Sequence, residues 1–168
     1  MNALEIKDLT KKYDDFTLDH LNLTLPSGCI MGLIGENGAG KSTTMKLILN
    51  MIRKDEGSIT ILGRDNIKEE RLTKEEIGVV LDEVGLPDCV TAKQVGNIMK
   101  HTFRTWNREE YERLLKQFRL SDDKEFKEYS RGMKMKLGLA IALSHDSKLL
   151  ILDEATSAMD YESETAVR

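Results

Sequence analysis

The most constraining feature of the sequence is the stretch GLIGENGAGKSTTMKLI, which begins at Gly32 and ends at Ile48. Residues 35–42 fit the pattern G-x-x-x-x-G-K-[ST], between an apolar run typical of a strand and a periodic run typical of a helix. Gly38 and Gly40 permit backbone conformations that side chains disfavour, so that successive N–H groups can face one anion. The helix adds free N–H groups and the positive end of its dipole. This stretch therefore predicts a phosphate-binding loop (P-loop).

Every residue of this loop is a candidate binding residue. Lys41 is expected to reach the β- and γ-phosphates of a nucleotide, and Ser42 to ligate Mg²⁺. The residues expected to surround the phosphates are Gly35, Glu36, Asn37, Gly38, Ala39, Gly40, Lys41, Ser42 and Thr43. Residue frequencies give this pattern by chance in about one chain in a hundred or fewer, so an incidental glycine-rich turn is the weaker interpretation.

An acidic pair ends a second apolar run, KLLILDE, at residues 148–154. Parallel sheets place ligands at the carboxyl ends of their strands, where Asp153 and Glu154 stand in this run. Taken alone, such a pair is usually a solvated turn. With the P-loop upstream, we expect Asp153 to hold Mg²⁺ through its water shell and Glu154 to polarise the water that attacks the γ-phosphate.

Composition excludes several classes of protein. The net charge of -4 argues against nucleic-acid binding by bulk positive charge. No apolar run approaches the roughly 20 residues of a membrane span, and the first residues lack the apolar block of a signal peptide. We therefore expect a cytosolic chain without direct membrane insertion. Cys29 and Cys89 are too few for a disulfide framework or a metal cluster, and we expect both to be reduced and structural.

The apolar pattern predicts the α/β fold class. Alternation in LEIKDLT and TLDHLNLTLP indicates half-buried antiparallel strands at the N-terminus. Further strands are expected, in a mostly parallel sheet, at CIMGLIG, GSITILG, EEIGVVLDE and KLLILDE, the first of them buried on both faces. Three helical patterns fall between the last two strands. We expect a P-loop core at 1–81 and 146–168, incomplete at the C-terminus, with an inserted all-helical subdomain at 82–145.

These motifs and their order resemble those of the ATP-binding cassette (ABC) ATPases over essentially the whole chain. GENGAGKST is similar to the Walker A motif of that family, LLILDE to its Walker B motif with the adjacent catalytic glutamate, and SAMD to its D-loop. YSRGMKMKLGLA is similar to its signature motif, and Tyr13 stands where the family has an aromatic residue that stacks on adenine. The resemblance implies a P-loop NTPase core that binds ATP and Mg²⁺ and hydrolyses ATP.

The signature motif is the element that most other P-loop proteins lack. Ser130 and Gly132, at the start of a predicted helix, offer a hydroxyl and free N–H groups to a phosphate. In the family that phosphate belongs to the ATP of the partner subunit, which implies a two-fold dimer. Arg131 and Met133 depart from the common Leu-Ser-Gly-Gly-Gln, and similar variants occur in branches that power exporters. From cap preferences alone, a plain N-cap role for Ser130 is the commoner case.

Two more positions depart from the family pattern. Asp82 aligns with the glutamine of the family's Q-loop, and we assign it a catalytic role and a contact with Mg²⁺. The switch histidine of the family lies beyond the D-loop, and the chain ends at Arg168 before reaching it. We therefore expect a C-terminally truncated nucleotide-binding domain. The three histidines upstream are expected to be surface or core residues, and they are His20, His101 and His145.

The resemblance implies an ATP-hydrolysing subunit of an ABC transporter, which dimerises around two Mg-ATP and powers a separate membrane subunit, with export favoured. The expected partners are an integral membrane permease and either a second copy or a paralogous ATPase subunit, without nucleic acid. The chain would be cytoplasmic and peripheral on the inner face of the cell membrane through the permease. The alternatives are a soluble ABC ATPase of translation or DNA repair, a P-loop kinase or GTPase, and a nucleotide-binding module without turnover.

Overall fold

The computed structural model describes residues 1–81 and 85–153. The chain divides into two compact units, at residues 1–74 and 75–168. Three helices, spanning residues 92–102, 108–117 and 131–143, fall inside the predicted insertion at 82–145. The predicted division of the chain into a core and a helical subdomain stays a prediction. Asp82, Glu154 and the D-loop lie outside the described residues.

The first unit is built on an antiparallel sheet of four strands in the order β2-β1-β3-β4. The strands are β1 (Asn2–Lys12), β2 (Thr17–Pro26), β3 (Glu56–Ile61) and β4 (Arg64–Asp65), and the helices are α1 (Lys41–Ile48) and α2 (Glu70–Glu75). Strand β1 pairs with both β2 and β3, and Ile6 and Ile59 are register partners whose side chains are almost fully buried. The antiparallel N-terminal strands predicted from the alternating pattern are confirmed. The strand expected over GSITILG in the parallel sheet is β3, and it pairs antiparallel with both β1 and β4.

The strand predicted over CIMGLIG is wrong for this structure. Residues 29–36 have no strand assignment, and the side chains of Ile30 and Ile34 are 102% and 95% exposed. A continuous apolar run becomes a buried strand only when neighbouring strands supply hydrogen-bond partners and other side chains cover both faces. Among the strand pairs of the described residues, none includes this segment, so its side chains stay in solvent.

In its described residues, the second unit contains one parallel strand pair with helices inserted between the two strands. Strand β5 (Ile77–Val80) pairs in register with β6 (Leu149–Leu152). The helices between them are α3 (Ala92–Thr102), α4 (Arg108–Gln117) and α5 (Arg131–Leu143), with a 3-10 turn at Phe126–Glu128. Helix α5 packs against β5, where a β-carbon on Gly78 would meet the Ala142 carbonyl oxygen at 2.9 Å. The carboxyl ends of β5 and β6 therefore lie at one edge.

Each of the helices α3 and α4 begins at a capping residue that the sequence supplies. Thr91 and Gln94 form a reciprocal capping box at α3, and Asn107 accepts a hydrogen bond from Glu110 N–H at α4. The inserted helices share a core that includes the following side chains: Ala92, Tyr111, Leu114, Leu115, Leu120, Phe126, Tyr129, Leu137 and Ala140. The three predicted helical patterns are thus confirmed as helices.

No helix in residues 1–81 or 85–153 is long and apolar enough to cross a membrane.

Candidate nucleotide site

The predicted P-loop leads into α1 and has the expected backbone conformation. Gly38 has φ of +87° and Gly40 has φ of +90°, both in the left-handed region that side chains disfavour. Gly40 is the N-cap of α1, and its carbonyl oxygen accepts hydrogen bonds from both the N–H and the hydroxyl of Thr44, at 2.8 and 2.9 Å. The helix therefore begins where the motif predicts.

The start of α1 offers hydrogen-bond donors to a ligand. Within the described residues, no acceptor is found for the backbone N–H groups of Lys41, Ser42 and Thr43. The first turn of α1 contains no acidic side chain that would compete with an anion for these donors. Ser42 is exposed, so its hydroxyl is accessible from solvent. This combination suits a phosphate group and an adjacent cation.

Lys41 folds back over the loop. Its ammonium group donates to the carbonyl oxygens of Gly35 at 2.6 Å and Glu36 at 2.8 Å. Because an ammonium has three N–H donors, one donor is left for a ligand. The positive charge of Lys41 is thus held at the first residues of the loop. Between Glu36 and Lys41, the loop is formed by the other residues predicted to bind phosphate, Asn37 to Gly40.

Two residues that were not predicted from the sequence support the loop and the helix α1 that follows it. The ring of Phe16 packs against Gly40, just before β2 begins. Asn66 is 3% exposed, and its amide nitrogen donates to the carbonyl oxygens of Leu47 at 3.0 Å and Ile48 at 3.2 Å, at the last turn of α1. Neither residue belongs to a recognisable motif, since each contact joins segments that are distant in the sequence.

Tyr13 lies in the turn between β1 and β2, with its side chain 46% exposed. Lys11 Nζ lies 5.4 Å from the centroid of its ring and 3.0 Å from Asp55 Oδ1. The N–H of Lys12 donates to the Asp55 carboxylate at 2.6 Å, and this bond, with the Lys11 ammonium, lowers the pKa of Asp55. Tyr13 therefore has an exposed ring beside a fixed cation. Its stacking on adenine stays a prediction.

Asp153 follows directly on β6, as the sequence analysis predicted. Its N–H donates to the carbonyl oxygen of Val80 at 2.9 Å, which extends the pairing of β6 with β5 by one residue. Its side chain is half-buried. A carboxylate is a hard oxygen donor of the kind that Mg²⁺ prefers. The described residues contain no cluster of three or more histidine, cysteine or acidic side chains that could hold a metal ion.

Comparison with known proteins identifies the family. The family described as ABC transporter matches residues 18–157. The chain belongs to the ABC transporter family. Among its ABC relatives, the Nod factor export ATP-binding protein I of Sinorhizobium fredii (strain NBRC 101917 / NGR234) is 39% identical in an alignment of 164 positions that covers 94% of this chain and 48% of that protein.

A second ABC relative is covered over more of its length. The lantibiotic transport ATP-binding protein SrtF of Streptococcus pyogenes is 36% identical over 160 residues, which cover 94% of this chain and 68% of SrtF. The chain spans about half the length of the first curated relatives that it matches.

The fold also agrees with a solved ABC structure. An ATP-binding subunit of an ABC transporter superposes with a TM-score of 0.85 at 28% identity, covering 95% of this chain and 69% of that one. The predicted fold class is therefore confirmed as an α/β P-loop NTPase core with inserted helices. The roles assigned to the individual binding residues of this ABC chain stay predictions.

The signature segment of this ABC chain begins a helix, as predicted. Helix α5 starts at Arg131, and the Ser130 hydroxyl oxygen accepts the N–H of Met133 at 3.3 Å. Ser130 is exposed and Gly132 is half-buried. The N-cap role of Ser130 is thus observed. The contact of Ser130 and Gly132 with a phosphate stays a prediction.

The histidines of the ABC chain are surface or core residues, as expected. His101 is exposed, and exposed His20 lies with Nδ1 2.6 Å from Asp19 Oδ1, a contact that raises the pKa of His20. His145 is 1% exposed and stacks on Phe103, with ring centroids 3.9 Å apart. Burial lowers the pKa of His145.

The structural role expected for the two cysteines is wrong. Cys29 and Cys89 are free thiols, and both are exposed rather than packed in a core. Cys29 belongs to the segment that forms no strand, and Cys89 lies in the loop before α3, so neither side chain is covered by neighbouring elements.

Proposed function

We propose that this chain is the ATP-binding and ATP-hydrolysing part of an ABC transporter subunit that powers export. The observation that carries the proposal is the P-loop, in which Lys41 and the N–H groups at the start of α1 belong to one loop shaped by Gly38 and Gly40. The names of two relatives, a Nod factor export and a lantibiotic transport ATP-binding protein, support an exporter.

In this proposal each loop group has a defined role toward ATP. The N–H groups of Lys41, Ser42 and Thr43 donate to phosphate oxygens. The Lys41 ammonium exchanges a hydrogen bond to a loop carbonyl oxygen for hydrogen bonds to the β- and γ-phosphates. Tyr13 stacks on the adenine ring. The remaining loop positions, from Gly35 to Gly40, supply the backbone that surrounds the phosphates.

The residues also fit Mg²⁺, which would neutralise charge on the phosphate oxygens when bound. We assign the Ser42 hydroxyl and the Asp153 carboxylate to the ion, with Asp82 as a further ligand. Glu154 would accept a proton from the attacking water, and Asp82 would orient that water. Lys41 would stabilise the charge that develops on the transferred phosphoryl group.

Membership of the family supports a proposal for the partners and the location. We propose that Ser130 and Gly132 bind the γ-phosphate of ATP on a second ATPase subunit, either a copy or a paralogue, so that two Mg-ATP lie between two chains. The chain would act on a separate integral membrane permease and would therefore lie at the cytoplasmic face of the membrane. No role toward nucleic acid is proposed.

The test is Mg-ATP binding by calorimetry, with phosphate release measured on the same sample. The unmodified chain should bind Mg-ATP with a saturable heat, and Lys41→Ala should weaken binding by at least about tenfold because it removes a charge-assisted phosphate contact. Glu154→Gln should leave binding intact and abolish any phosphate release.

A matched control is Lys46→Ala, which removes a lysine from the last turn of the same helix. It should leave Mg-ATP affinity unchanged. Equal loss of affinity in Lys41→Ala and Lys46→Ala would contradict the assignment of the P-loop. Failure of the unmodified chain to bind Mg-ATP would contradict the proposal for this chain.

A further inference from the structure

A cavity of about 400 Å³ lies against α3 and α4, and none of the proposed nucleotide-binding residues lines it. Its aromatic wall is formed by Trp106 and Tyr111, whose ring centroids are 5.0 Å apart with an angle of 50° between the planes. Its volume falls within the range of pockets that bind small molecules, roughly 300 to 1,000 Å³. The cavity is therefore large enough for a ligand of modest size.

The aromatic wall is held in place by contacts within the helical core. The Tyr111 hydroxyl donates to the carbonyl oxygen of Ala92 at 2.8 Å, and Tyr111 is buried. A β-carbon on Gly96 would meet Tyr111 Cε1 at 2.7 Å, so the ring lies directly on the backbone of α3. A wall fixed in this way needs little reorganisation when a ligand binds.

The rest of the lining carries excess positive charge. The basic side chains in it are Lys93, Lys100, Arg108 and Lys116. Its two acidic side chains are Glu112 and Asp122, which leaves a net charge of +2. Arg108 Nε lies 2.7 Å from Glu112 Oε1, so this pair is neutralised. Over residues 1–81 and 85–153, none of the three lysines takes part in an ion pair.

We propose that this cavity binds a small aromatic anion, with its ring system against Trp106 and Tyr111 and its carboxylate or phosphate group facing the three lysines. Aromatic side chains bind planar rings by edge and face contacts. Ammonium groups without carboxylate partners favour an anion, because a charge-assisted hydrogen bond is stronger than a neutral one. An ordinary apolar cleft would lack the ammonium groups, and a solvated lysine face would lack the aromatic wall.

The single tryptophan of the chain makes the proposal directly measurable. Because Trp106 is the only tryptophan, a proton–nitrogen NMR spectrum contains one indole N–H signal, and that signal reports on this cavity. The full chain would be titrated with 1-naphthoate and 1-naphthyl phosphate, which are aromatic anions with different head groups. A neutral analogue, 1-naphthalenemethanol, would be titrated in parallel. We expect saturable shifts with a Kd below about 1 mM for at least one anion and weaker binding of the neutral analogue.

Variants separate the proposed site from a general charge effect. The double substitution Lys100→Ala with Lys116→Ala should weaken binding of the anion by about tenfold and leave the neutral analogue unaffected. Lys124→Ala is the matched control, because Lys124 is exposed and lies outside the cavity lining. Lys41→Ala should also leave this binding unchanged, which makes the outcome independent of the proposed ATP site.

Three results would overturn the proposal. The first is the absence of a saturable shift of the indole signal with either anion. The second is equal affinity for the neutral analogue, which would mean that the lysines do not select an anion. The third is equal weakening by Lys124→Ala and by the double substitution, which would indicate a non-specific effect of net charge.

Discussion

The ring of Phe16 occupies the space next to the missing side chain of Gly40. A β-carbon built on Gly40 would lie 2.9 Å from Phe16 Cζ, closer than real β-carbons approach other atoms. Leu18 Cδ1 would lie 3.3 Å from the same point. Because Gly40 also has φ of +90°, the position is restricted to glycine by its conformation and by its contacts. The aromatic ring thus fixes the entry of the P-loop into α1.

We expect Gly40→Ala to destabilise the chain by about 1–3 kcal/mol through backbone strain alone, with a further loss from the contact with Phe16. Mg-ATP affinity should fall by at least about tenfold, since the loop donors would be displaced. Denaturant unfolding and calorimetry would measure both effects.

The matched control for this prediction is Gly38→Ala. Gly38 has φ of +87°, but no atom lies within 4 Å of the position that a β-carbon would take, so only strain is added there. Addition of Phe16→Ala should partly restore the stability of Gly40→Ala. Equal losses in the two glycine variants, with no effect of Phe16→Ala, would show that the ring contact is unimportant.

Asn66→Ala should destabilise the first unit by about 1–3 kcal/mol. The substitution removes the buried amide that donates to the Ile48 carbonyl oxygen and, together with the N–H of Asn50, to the Leu47 carbonyl oxygen. Asn22→Ala, at an exposed position on β2, should cost less. Urea unfolding of both variants tests the difference, and a loss for Asn22→Ala as large as that for Asn66→Ala would contradict it.

Stability should fall as the pH is lowered below 6.5, the unperturbed pKa of histidine, because of His145. Burial lowers the pKa of His145 in the folded chain, so the unfolded chain takes up the proton first. The contribution of His145 is fully present above pH 6.5 and is lost as the pH falls toward the folded pKa. Denaturant midpoints measured between about pH 7.5 and about pH 5 test this, because that range brackets the unperturbed histidine value.

Two variants are expected to change the pH dependence of stability in opposite directions. His145→Phe preserves an aromatic ring beside Phe103 without a titrating group, so the decrease in this pH range should become smaller. His20 has a raised pKa because of its hydrogen bond to Asp19, so its contribution is present at low pH and is lost as pH rises. His20→Asn should therefore steepen the loss of stability at low pH. An unchanged pH profile in His145→Phe would exclude His145 as its cause.

Gly96→Ala should destabilise the helical core by about 1–3 kcal/mol, because the added methyl group would collide with the fixed ring of Tyr111. Alanine favours helices over glycine, so propensity alone predicts the opposite sign. Gly85→Ala is the control, since nothing lies within 4 Å of its β-carbon position. Thermal melts would show a lower Tm for Gly96→Ala, and a raised Tm would mean that Tyr111 moves aside without cost.

Most helices and strands were predicted from local patterns, although α2 was not. Capping residues such as Thr91 and Asn107 start helices through contacts three residues away, so they are readable in the sequence. Apolar residues alternate with polar ones along β1 and β2, which likewise predicts strands with one buried face. The prediction of a strand over residues 29–36 was wrong because an apolar run contains no information on which strands will pair with it.

The sequence by itself determined the P-loop, the acidic end of β6 and membership of the ABC transporter family, because these depend on residue types at fixed spacing. Only the tertiary structure decided that Phe16 lies on Gly40, that Asn66 holds the end of α1 and that Trp106 and Tyr111 form a cavity wall beside three lysines. Such contacts join segments far apart in the chain, and their geometry is set by packing, which no local pattern records.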